Sequence, residues 1–281
     1  TFLLSLVDNV PNFSTTYAVN VNDPEMSEKF WQDMALDYFG KGKTHRLIEL
    51  GIDDFKVDNL RTVAFNSDVP FFHPSFVGAT MMAQRAAEDG LKVLISGEGA
   101  DEIFLGYRWF FNNESINSIF EYSPIGEISQ YLGVSPPSLK FLQDMDRLEF
   151  FQEWYLQRWL GRSDLTGMRH SIEIRVPFLD LELVNAINQI SRDYKQRHGA
   201  KWILKNELLR SLPPEFVHRR KRGFDFPLNS WMTDEHINFL KSNKDLFEIS
   251  NEEMKFLANS VDYKSKRLIF ALCCFAIWMG R

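Results

Sequence analysis

A glycine-bracketed turn carries the residues of this chain that are best suited to chemistry. Residues 96–102 read Ser-Gly-Glu-Gly-Ala-Asp-Glu and follow a short apolar run at 93–95. The glycines let the backbone approach a ligand closely, and the N–H groups of a following helix can bind phosphate. The carboxylates of Glu98, Asp101 and Glu102 can hold Mg²⁺ or move a proton. A plain turn whose acidic residues stabilise a helix dipole is equally compatible with this spacing.

The segments around this turn alternate between predicted strands and helices. Apolar and β-branched runs predict strands at 17–21, 44–50 and 93–95, and the apolar spacing predicts helices at 27–39 and 76–88. An alternation of this kind is typical of an α/β fold with a parallel sheet flanked by helices.

Helices separated by turns dominate the second half of the chain. We predict an α/β core over 1–108 and a mainly helical portion over 109–281, with a loop at 123–137 that contains several Gly and Pro residues. The apolar run at 268–279 is shorter than the roughly 20 residues that span a bilayer, so it predicts a buried core helix.

The overall composition excludes several classes of protein. The chain has 281 residues, 44% hydrophobic and 25% charged, which is typical of a globular protein. Its formal charge of -6 argues against a protein that binds nucleic acid along the phosphate backbone. No segment predicts a membrane partner. The only cysteines, Cys273 and Cys274, are adjacent, which favours reduced thiols and a cytoplasmic location.

Three ordered motifs resemble the synthetase domain of the asparagine synthetase family. The first is the turn at 96–102 followed by Gly106-Tyr107. The second is the segment at 168–180, which reads Met-Arg-His-Ser-Ile-Glu-Ile-Arg-Val-Pro-Phe-Leu-Asp and is similar to the family's M-x-x-S-x-E-x-R-x-P-F-L-D block. The third is the segment at 219–224, Arg-Arg-Lys-Arg-Gly-Phe, which is similar to R-x-K-x-G-F.

The resemblance implies an adenine nucleotide alpha hydrolase-like fold, that of the PP-loop ATP pyrophosphatases. It also implies that ATP and Mg²⁺ adenylate a substrate carboxylate with release of pyrophosphate, and that an amine then displaces AMP. By this resemblance Ser96 and Gly97 contact the nucleotide, Val19 offers backbone contacts to adenine, and 1–108 is the nucleotide-binding core. The implied partners are ATP, a carboxylate substrate and an amine or ammonia donor, and a homodimer is compatible with them.

The resemblance also implies roles for charged residues. Asp101 would help to bind Mg²⁺, which neutralises the leaving pyrophosphate. Glu98 would orient or deprotonate the attacking amine. Lys221 would stabilise charge on the phosphates and on the tetrahedral intermediate. The basic run at 218–222 alone would favour a solvated surface, and the Gly-Phe at 223–224 favours the active-site interpretation.

The second motif contains charged residues for which we predict a structural role. Glu173, Arg175 and Asp180 are expected to form a buried network that holds the helical half against the sheet. Catalysis is the alternative interpretation of these three side chains.

Two parts of the family pattern are absent from this chain. The phosphate-binding loop, Ser-Gly-Gly-x-Asp-Ser, lies in relatives before a helix like residues 1–7, so we expect it to precede Thr1. Without that loop the chain alone is not expected to adenylate a substrate. The N-terminal glutaminase domain, which makes ammonia from glutamine with a catalytic Cys, is also absent from this chain.

Departures near the predicted pocket bear on the substrate. The usual D-E-P and D-P-S become Asp-Val-Pro at 68–70 and His-Pro-Ser at 73–75, with the loss of two carboxylates. The usual Gly-Gly-Tyr becomes Leu-Gly-Tyr at 105–107, and the added Leu could narrow the pocket or favour a less polar substrate. His73, Ser75 and Tyr107 are the candidate pocket residues.

Three functional interpretations remain open from these residues. Formation of asparagine from aspartate, with glutamine as the nitrogen source, is the default. The second is a ring-closing enzyme of the lasso-peptide or β-lactam type. β-Lactam synthetases use a Tyr–Glu pair as base, and Tyr107 lies too close to the turn to be assigned that role. The third is a non-catalytic remnant that binds a nucleotide or a partner, and the sequence upstream of Thr1 would discriminate it.

Overall fold

Four strands form two separate parallel pairs in the computed structural model, which describes residues 1–7, 10, 13–64, 69–112, 116, 146–220, 223–247 and 249–280. Strand β1 (Thr15–Val21) pairs with β2 (Thr44–Leu50), and β3 (Val93–Ile95) pairs with β4 (Glu173–Arg175). The parallel pairing of these strands confirms the prediction that the strands run parallel. The described strands nevertheless form two small sheets, so the predicted single sheet is not seen in this part of the chain.

Helices make up most of the remaining described structure. The predicted strands at 44–50 and 93–95 agree with β2 and β3 to the residue, whereas β1 begins two residues before the predicted 17–21. The helices are α1 (Phe2–Val7), α2 (Lys29–Phe39), α3 (Val57–Ala64), α4 (Ser75–Glu88), α5 (Ala100–Ile103), α6 (Arg147–Glu149), α7 (Leu156–Met168), α8 (Leu181–Asn188), α9 (Arg192–Gln196), α10 (Trp202–Leu208), α11 (Pro214–Val217), α12 (Leu228–Trp231), α13 (Asp234–Ser242), α14 (Asn251–Asn259) and α15 (Tyr263–Met279).

The largest apolar core surrounds α15. Most of its residues from Leu268 to Ile277 are buried, as a continuous apolar helix requires, so the predicted core helix is confirmed. Cys273 and Cys274 lie in it as free, buried thiols. Among the described residues, we find no helix of the length and apolarity that crossing a bilayer demands.

Two helices connect the two sheets and position the turn after β3. Helix α4 starts at Ser75 and packs on β1, and α7 packs across α4 and β4. The second half of the chain therefore supplies both β4 and α7 to the surroundings of that turn. The predicted division at residue 108 stays a prediction, and the predicted loop at 123–137 lies outside the described residues.

The prediction that Glu173, Arg175 and Asp180 form a buried network is wrong. Glu173 and Arg175 form an ion pair of 3.0 Å whose side chains are 60% and 62% exposed. Both side chains lie on one face of β4, because residues two apart in a strand point the same way. Asp180 is exposed and caps α8, where its Oδ1 accepts hydrogen bonds from two backbone N–H groups. These side chains therefore act locally and do not hold two halves together.

Candidate active site

The turn between β3 and α5 presents its residues at the carboxyl end of β3. The backbone N–H of Ser96 donates to the carbonyl of Arg175 at 2.8 Å, so the pairing of β3 with β4 continues into the turn. Gly99 has a φ of +87°, and a Cβ there would lie 2.4 Å from Cδ2 of Leu179. Glycine suits both the left-handed backbone and this close approach. Ser96 is half-buried and Gly97 is exposed, so a ligand can approach both.

Glu98 is held by two consecutive side chains of α7. Its carboxylate pairs with the guanidinium of Arg162, and the Oγ of Ser163 lies 2.7 Å from both Oε1 and Oε2. The side chains of Glu98 and Arg162 are only 13% and 17% exposed. Charge-assisted hydrogen bonds in such sheltered surroundings are strong, so the carboxylate has a defined orientation at the turn.

Arg162 also links Glu98 to the start of α4. Its Nη1 donates to the Oγ of Ser75 at 2.8 Å, and Nδ1 of His73 lies 2.8 Å from the same oxygen. The backbone N–H of Ser75 donates to Nδ1 of His73 at 3.2 Å, so Nδ1 is the acceptor nitrogen of that ring. Burial and the neighbouring arginines lower the pKa of His73 well below its ordinary value, which favours the neutral ring.

Asp101 is the second carboxylate near the carboxyl end of β3. Its Oδ2 lies 2.8 Å from Nζ of Lys201, and both side chains are about one quarter exposed. Lys201 immediately precedes α10 and has a φ of +54°, an unusual backbone for a residue with a side chain. Gly106 makes room for the pair, because a Cβ there would lie 1.9 Å from Oδ1 of Asp101. The structure thus brings together residues about 100 positions apart in the chain.

The residues present are compatible with a magnesium ion that is shared with a phosphorylated ligand. Within the described ranges, no group of three or more His, Cys, Asp and Glu side chains is arranged to hold a metal. Mg²⁺ commonly takes one or two carboxylates together with substrate phosphates and water. Asp101 offers hard oxygen ligands of this kind, and Lys201 places a positive charge beside them.

Tyr107 lies in an aromatic cluster and not beside Glu98. Its hydroxyl donates to Oε1 of Glu102 at 2.6 Å, and its ring stacks on Phe151 with the centroids 5.0 Å apart. Burial raises the pKa of Glu102, whose side chain is 2% exposed, and it also raises the pKa of Tyr107. A Tyr–Glu pair enclosed in this way favours a structural role over that of a base.

Leu105 lies in an apolar core beside the same aromatic cluster. It is fully buried and packs with Phe110, Phe150 and Phe151. Its φ is +54°, a conformation that glycine adopts with less strain. The side chain therefore fills an apolar core, and this packing argues against the expectation that Leu105 narrows the substrate pocket.

Val19 lies in the middle of β1, against the side of α4. Its carbonyl accepts a hydrogen bond from Nε2 of Gln32 at 3.0 Å. A Cβ at Gly78 in α4 would lie 2.9 Å from Cγ1 of Val19 and 3.4 Å from Phe224, so the third motif reaches this junction. Whether Val19 contacts adenine stays a prediction. Lys221 lies outside the described residues, and its role stays a prediction as well.

Sequence reasoning missed the α7 residues that hold Glu98. No motif marks Arg162 and Ser163, which lie six and five residues before the second motif. The available signal is helical spacing alone, since Ser163 lies seven residues after Leu156 and both are buried on α7. Such a residue in a buried stripe needs a hydrogen-bonding partner, and that partner is Glu98.

Comparisons with known proteins agree with the motifs. The family model described as asparagine synthase matches residues 5–254. Asparagine synthetase [glutamine-hydrolyzing] 1 of Bacillus subtilis is 22% identical over 288 residues, with 79% of this chain and 45% of that protein covered. A putative asparagine synthetase [glutamine-hydrolyzing] of Mycobacterium tuberculosis is 26% identical over 250 residues, with 68% and 38% covered.

A shorter match has a higher identity. A putative asparagine synthetase [glutamine-hydrolyzing] 1 of Methanocaldococcus jannaschii is 34% identical over 122 residues, which cover 43% of this chain and 18% of that protein. The chain spans less than half the length of these curated relatives.

Proposed function

This chain belongs to the asparagine synthase family, and we propose on that premise that it is the synthetase part of an enzyme that catalyses ATP-dependent formation of an amide through an acyl-adenylate. In the first step a substrate carboxylate oxygen attacks the α-phosphorus of ATP, and pyrophosphate leaves. In the second step ammonia attacks the acyl carbon, AMP leaves, and one proton is released. The observation that carries this proposal is the orientation of Glu98, whose carboxylate is held at the carboxyl end of β3 by Arg162 and Ser163.

Glu98 has the position and chemistry to act on the attacking amine. Its oxygens can accept a hydrogen bond from the amine and take its proton as the C–N bond forms. Ser163 and Arg162, which are consecutive residues of α7, both bind the carboxylate, so it does not have to reorganise during the reaction. The neutral ring of His73 completes the hydrogen-bonded chain through Ser75.

The nucleotide is expected at the turn, where Ser96 and Gly97 are accessible. Mg²⁺ bound by Asp101 and by the phosphates would supply positive charge to the leaving pyrophosphate. Lys201 lies beside Asp101 and can donate to a phosphate oxygen, a task for which we also propose Lys221. Val19 remains our candidate for backbone contact with the adenine.

The proposed acyl substrate is aspartate, and the proposed product is asparagine. The three relatives described above carry the name asparagine synthetase with the qualifier glutamine-hydrolyzing. For this protein we therefore propose ammonia as the nucleophile, supplied by glutamine hydrolysis in a glutaminase domain or subunit outside this chain. The enclosed Tyr107–Glu102 pair gives no support to a ring-closing reaction of the β-lactam type.

The proposal is tested with the full-length protein by measuring pyrophosphate release and asparagine formation from ATP, Mg²⁺, aspartate and ammonium. Glu98→Gln keeps the shape of the side chain and removes its charge and basicity. We expect this variant to lose asparagine formation by about 100-fold or more, the usual contribution of a general base. Glu88→Gln is the matched control, because Glu88 is exposed at the other end of α4, about 20 Å from Ser75.

Two outcomes would contradict the proposal. Absence of aspartate-dependent pyrophosphate release by the wild-type protein, while ATP still binds, would exclude asparagine formation. If Glu98→Gln and Glu88→Gln were both fully active, the proposed reaction would stand, but Glu98 would be excluded as its base.

A further inference from the structure

The hydrogen bonds that link His73, Ser75 and Arg162 have only one possible set of directions. A guanidinium can only donate, so Nη1 of Arg162 donates to the Oγ of Ser75 at 2.8 Å. Nδ1 of His73 lies 2.8 Å from the same oxygen and also accepts from the backbone N–H of Ser75 at 3.2 Å. This Nδ1 therefore carries no proton, and it accepts the hydroxyl hydrogen of Ser75. We call these three side chains the Arg162 network.

The other end of the Arg162 guanidinium pairs with Glu98. Nη2 donates to Oε1 of that carboxylate, and both side chains are sheltered from solvent. A guanidinium is planar and its nitrogens have a fixed arrangement, so a hydrogen bond that holds Nη1 also fixes the direction of Nη2. The guanidinium carbon lies 4.9 Å from the ring centroid of Trp159, which covers one face of the group. Ser75 therefore acts on Glu98 through a rigid side chain.

The start of α4 holds the acceptor end of the Arg162 network in place. The backbone carbonyl of His73 accepts from the N–H of Phe76 at 3.1 Å, and that of Pro74 accepts from the N–H of Val77 at 3.1 Å. Pro74 also has a restricted φ, which limits the movement of the backbone at this point. Helix α4 packs against α7, the helix that carries Arg162. The Arg162 network therefore connects two packed helices to the carboxylate of Glu98.

The burial of Ser75 argues against direct contact with a ligand. Ser75 is 1% exposed, and its hydroxyl already accepts from Arg162 and donates to His73. His73 is half-buried, and its Nδ1 faces Ser75. Burial, together with the charges of nearby arginines, lowers the pKa of His73 well below its ordinary value, so Nδ1 stays available as an acceptor. Both residues therefore face inward, toward Arg162.

We propose that His73 and Ser75 are positioning residues for the second step of the proposed reaction, in which the amine attacks the acyl-adenylate. They hold the Arg162 guanidinium, and the guanidinium holds the Glu98 carboxylate in one orientation. The inference rests on the proposed function for the role of Glu98. Its effect falls on one step only, because Glu98 has no task in the attack of the substrate carboxylate on ATP. A role of Ser75 in binding the acyl substrate predicts instead a higher KM for the acid in the first step.

Two measurements on the full-length protein separate the two steps. Aspartate-dependent exchange of labelled pyrophosphate into ATP needs no amine and reports the first step. For the second step, the acyl-adenylate is formed without amine, ammonium is added, and rapid quenching gives the rate of asparagine formation. We expect Ser75→Ala to slow the second step by roughly 10-fold to 100-fold, since a charged hydrogen bond is lost and the carboxylate is displaced. The kcat and KM of the exchange should stay unchanged.

Two substitutions at residue 73 test the need for an acceptor. The Oδ1 of an asparagine lies about where the imidazole has Nδ1, so His73→Asn still accepts the Ser75 hydroxyl hydrogen, whereas His73→Leu does not. We expect His73→Leu to slow the second step as much as Ser75→Ala does, and His73→Asn to recover most of that rate. Ser191→Ala is the matched control, because Ser191 is exposed and its Oγ accepts from the N–H of Tyr194 at the start of α9. Both steps should keep wild-type rates in this control.

A double variant shows whether Ser75 acts through Glu98. In the Glu98→Gln background the carboxylate is already absent, so we expect Ser75→Ala to cause no further loss in the second step. A full additional loss in the double variant would overturn the inference. So would equal losses in both steps, a higher KM for aspartate in the exchange, or an unaltered second step in Ser75→Ala. His73→Asn that is no faster than His73→Leu would overturn the role of His73.

The remaining outcomes are also decisive. If Ser75→Ala does not fold, the two variants at residue 73 decide the inference. If the wild-type protein shows no aspartate-dependent exchange, the proposed function fails, and nitrogen NMR of the labelled histidines then decides the Arg162 network alone. An unprotonated Nδ1 of His73 whose signal moves in Ser75→Ala and not in Ser191→Ala would retain the Arg162 network. A protonated Nδ1, or a signal that does not move in Ser75→Ala, would refute it.

Discussion

Replacing Gly106 with alanine tests how closely the Asp101–Lys201 pair is positioned. A Cβ at residue 106 would lie 1.9 Å from Oδ1 of Asp101 and 2.4 Å from Cε of Lys201. The backbone cannot easily move away, because the N–H of Gly106 donates to the carbonyl of Asp101 at 2.7 Å. Gly106 is not among the residues with positive φ, so alanine meets no conformational strain and its effect is steric.

The size of the effect follows from these distances. Ordinary contacts between heavy atoms lie near ~3.5 Å, so the Asp101 carboxylate must move by roughly 1.5 Å to accept the methyl group. A displacement on the order of 1 Å in a catalytic group can reduce the rate about 100-fold. Overpacking also reduces the free energy of unfolding, by about 1–3 kcal/mol. We therefore expect Gly106→Ala to lose about 100-fold in aspartate-dependent pyrophosphate release while it remains folded at room temperature.

The control is Gly161→Ala in α7, where a Cβ would find no atom within 4 Å. Alanine at this exposed helical position should raise the free energy of unfolding by roughly 0.5–1 kcal/mol and leave pyrophosphate release unchanged. Urea denaturation of both variants separates stability from activity. Wild-type activity in Gly106→Ala would refute the steric reasoning, and so would an equal loss of activity in Gly161→Ala.

Two further predictions concern stability. Burial lowers the pKa of His73 below its ordinary 6.5, so the unfolded chain takes up a proton below that pH that the folded chain does not. The free energy of unfolding should therefore fall as the pH drops from about 7 to about 5, by up to about 1.4 kcal/mol per pH unit from this group. In His73→Gln this slope should be smaller, and identical slopes by urea denaturation would contradict the prediction. Gly99 and Gly42 both have positive φ, but only the Cβ at residue 99 would meet a neighbour, Leu179 at 2.4 Å. Gly99→Ala should therefore be less stable than Gly42→Ala by about 1–3 kcal/mol, and equal unfolding midpoints would show that Leu179 gives way.

Local sequence determined the elements nearest the candidate site. The apolar runs at 44–50 and 93–95 predicted β2 and β3 correctly, because alternating or continuous apolar residues are a local property of a strand. The turn at 96–102 is likewise visible in the chain, since its glycines and carboxylates lie close together in the sequence. The apolar run at 268–279 likewise predicted the buried helix α15 from local sequence alone.

Tertiary structure alone decided which groups surround that turn. Arg162 and Ser163 reach Glu98 across more than 60 residues, and Lys201 reaches Asp101 across 100 residues. No local pattern contains these contacts, since they depend on how α7 packs across α4 and β4 and on where α10 begins. The same packing left Glu173 exposed, against the prediction from the motif, because β4 pairs only with β3 among the described strands. Residue types thus specify which chemistry is available, while the packing of distant helices decides which side chains orient the reactive carboxylates.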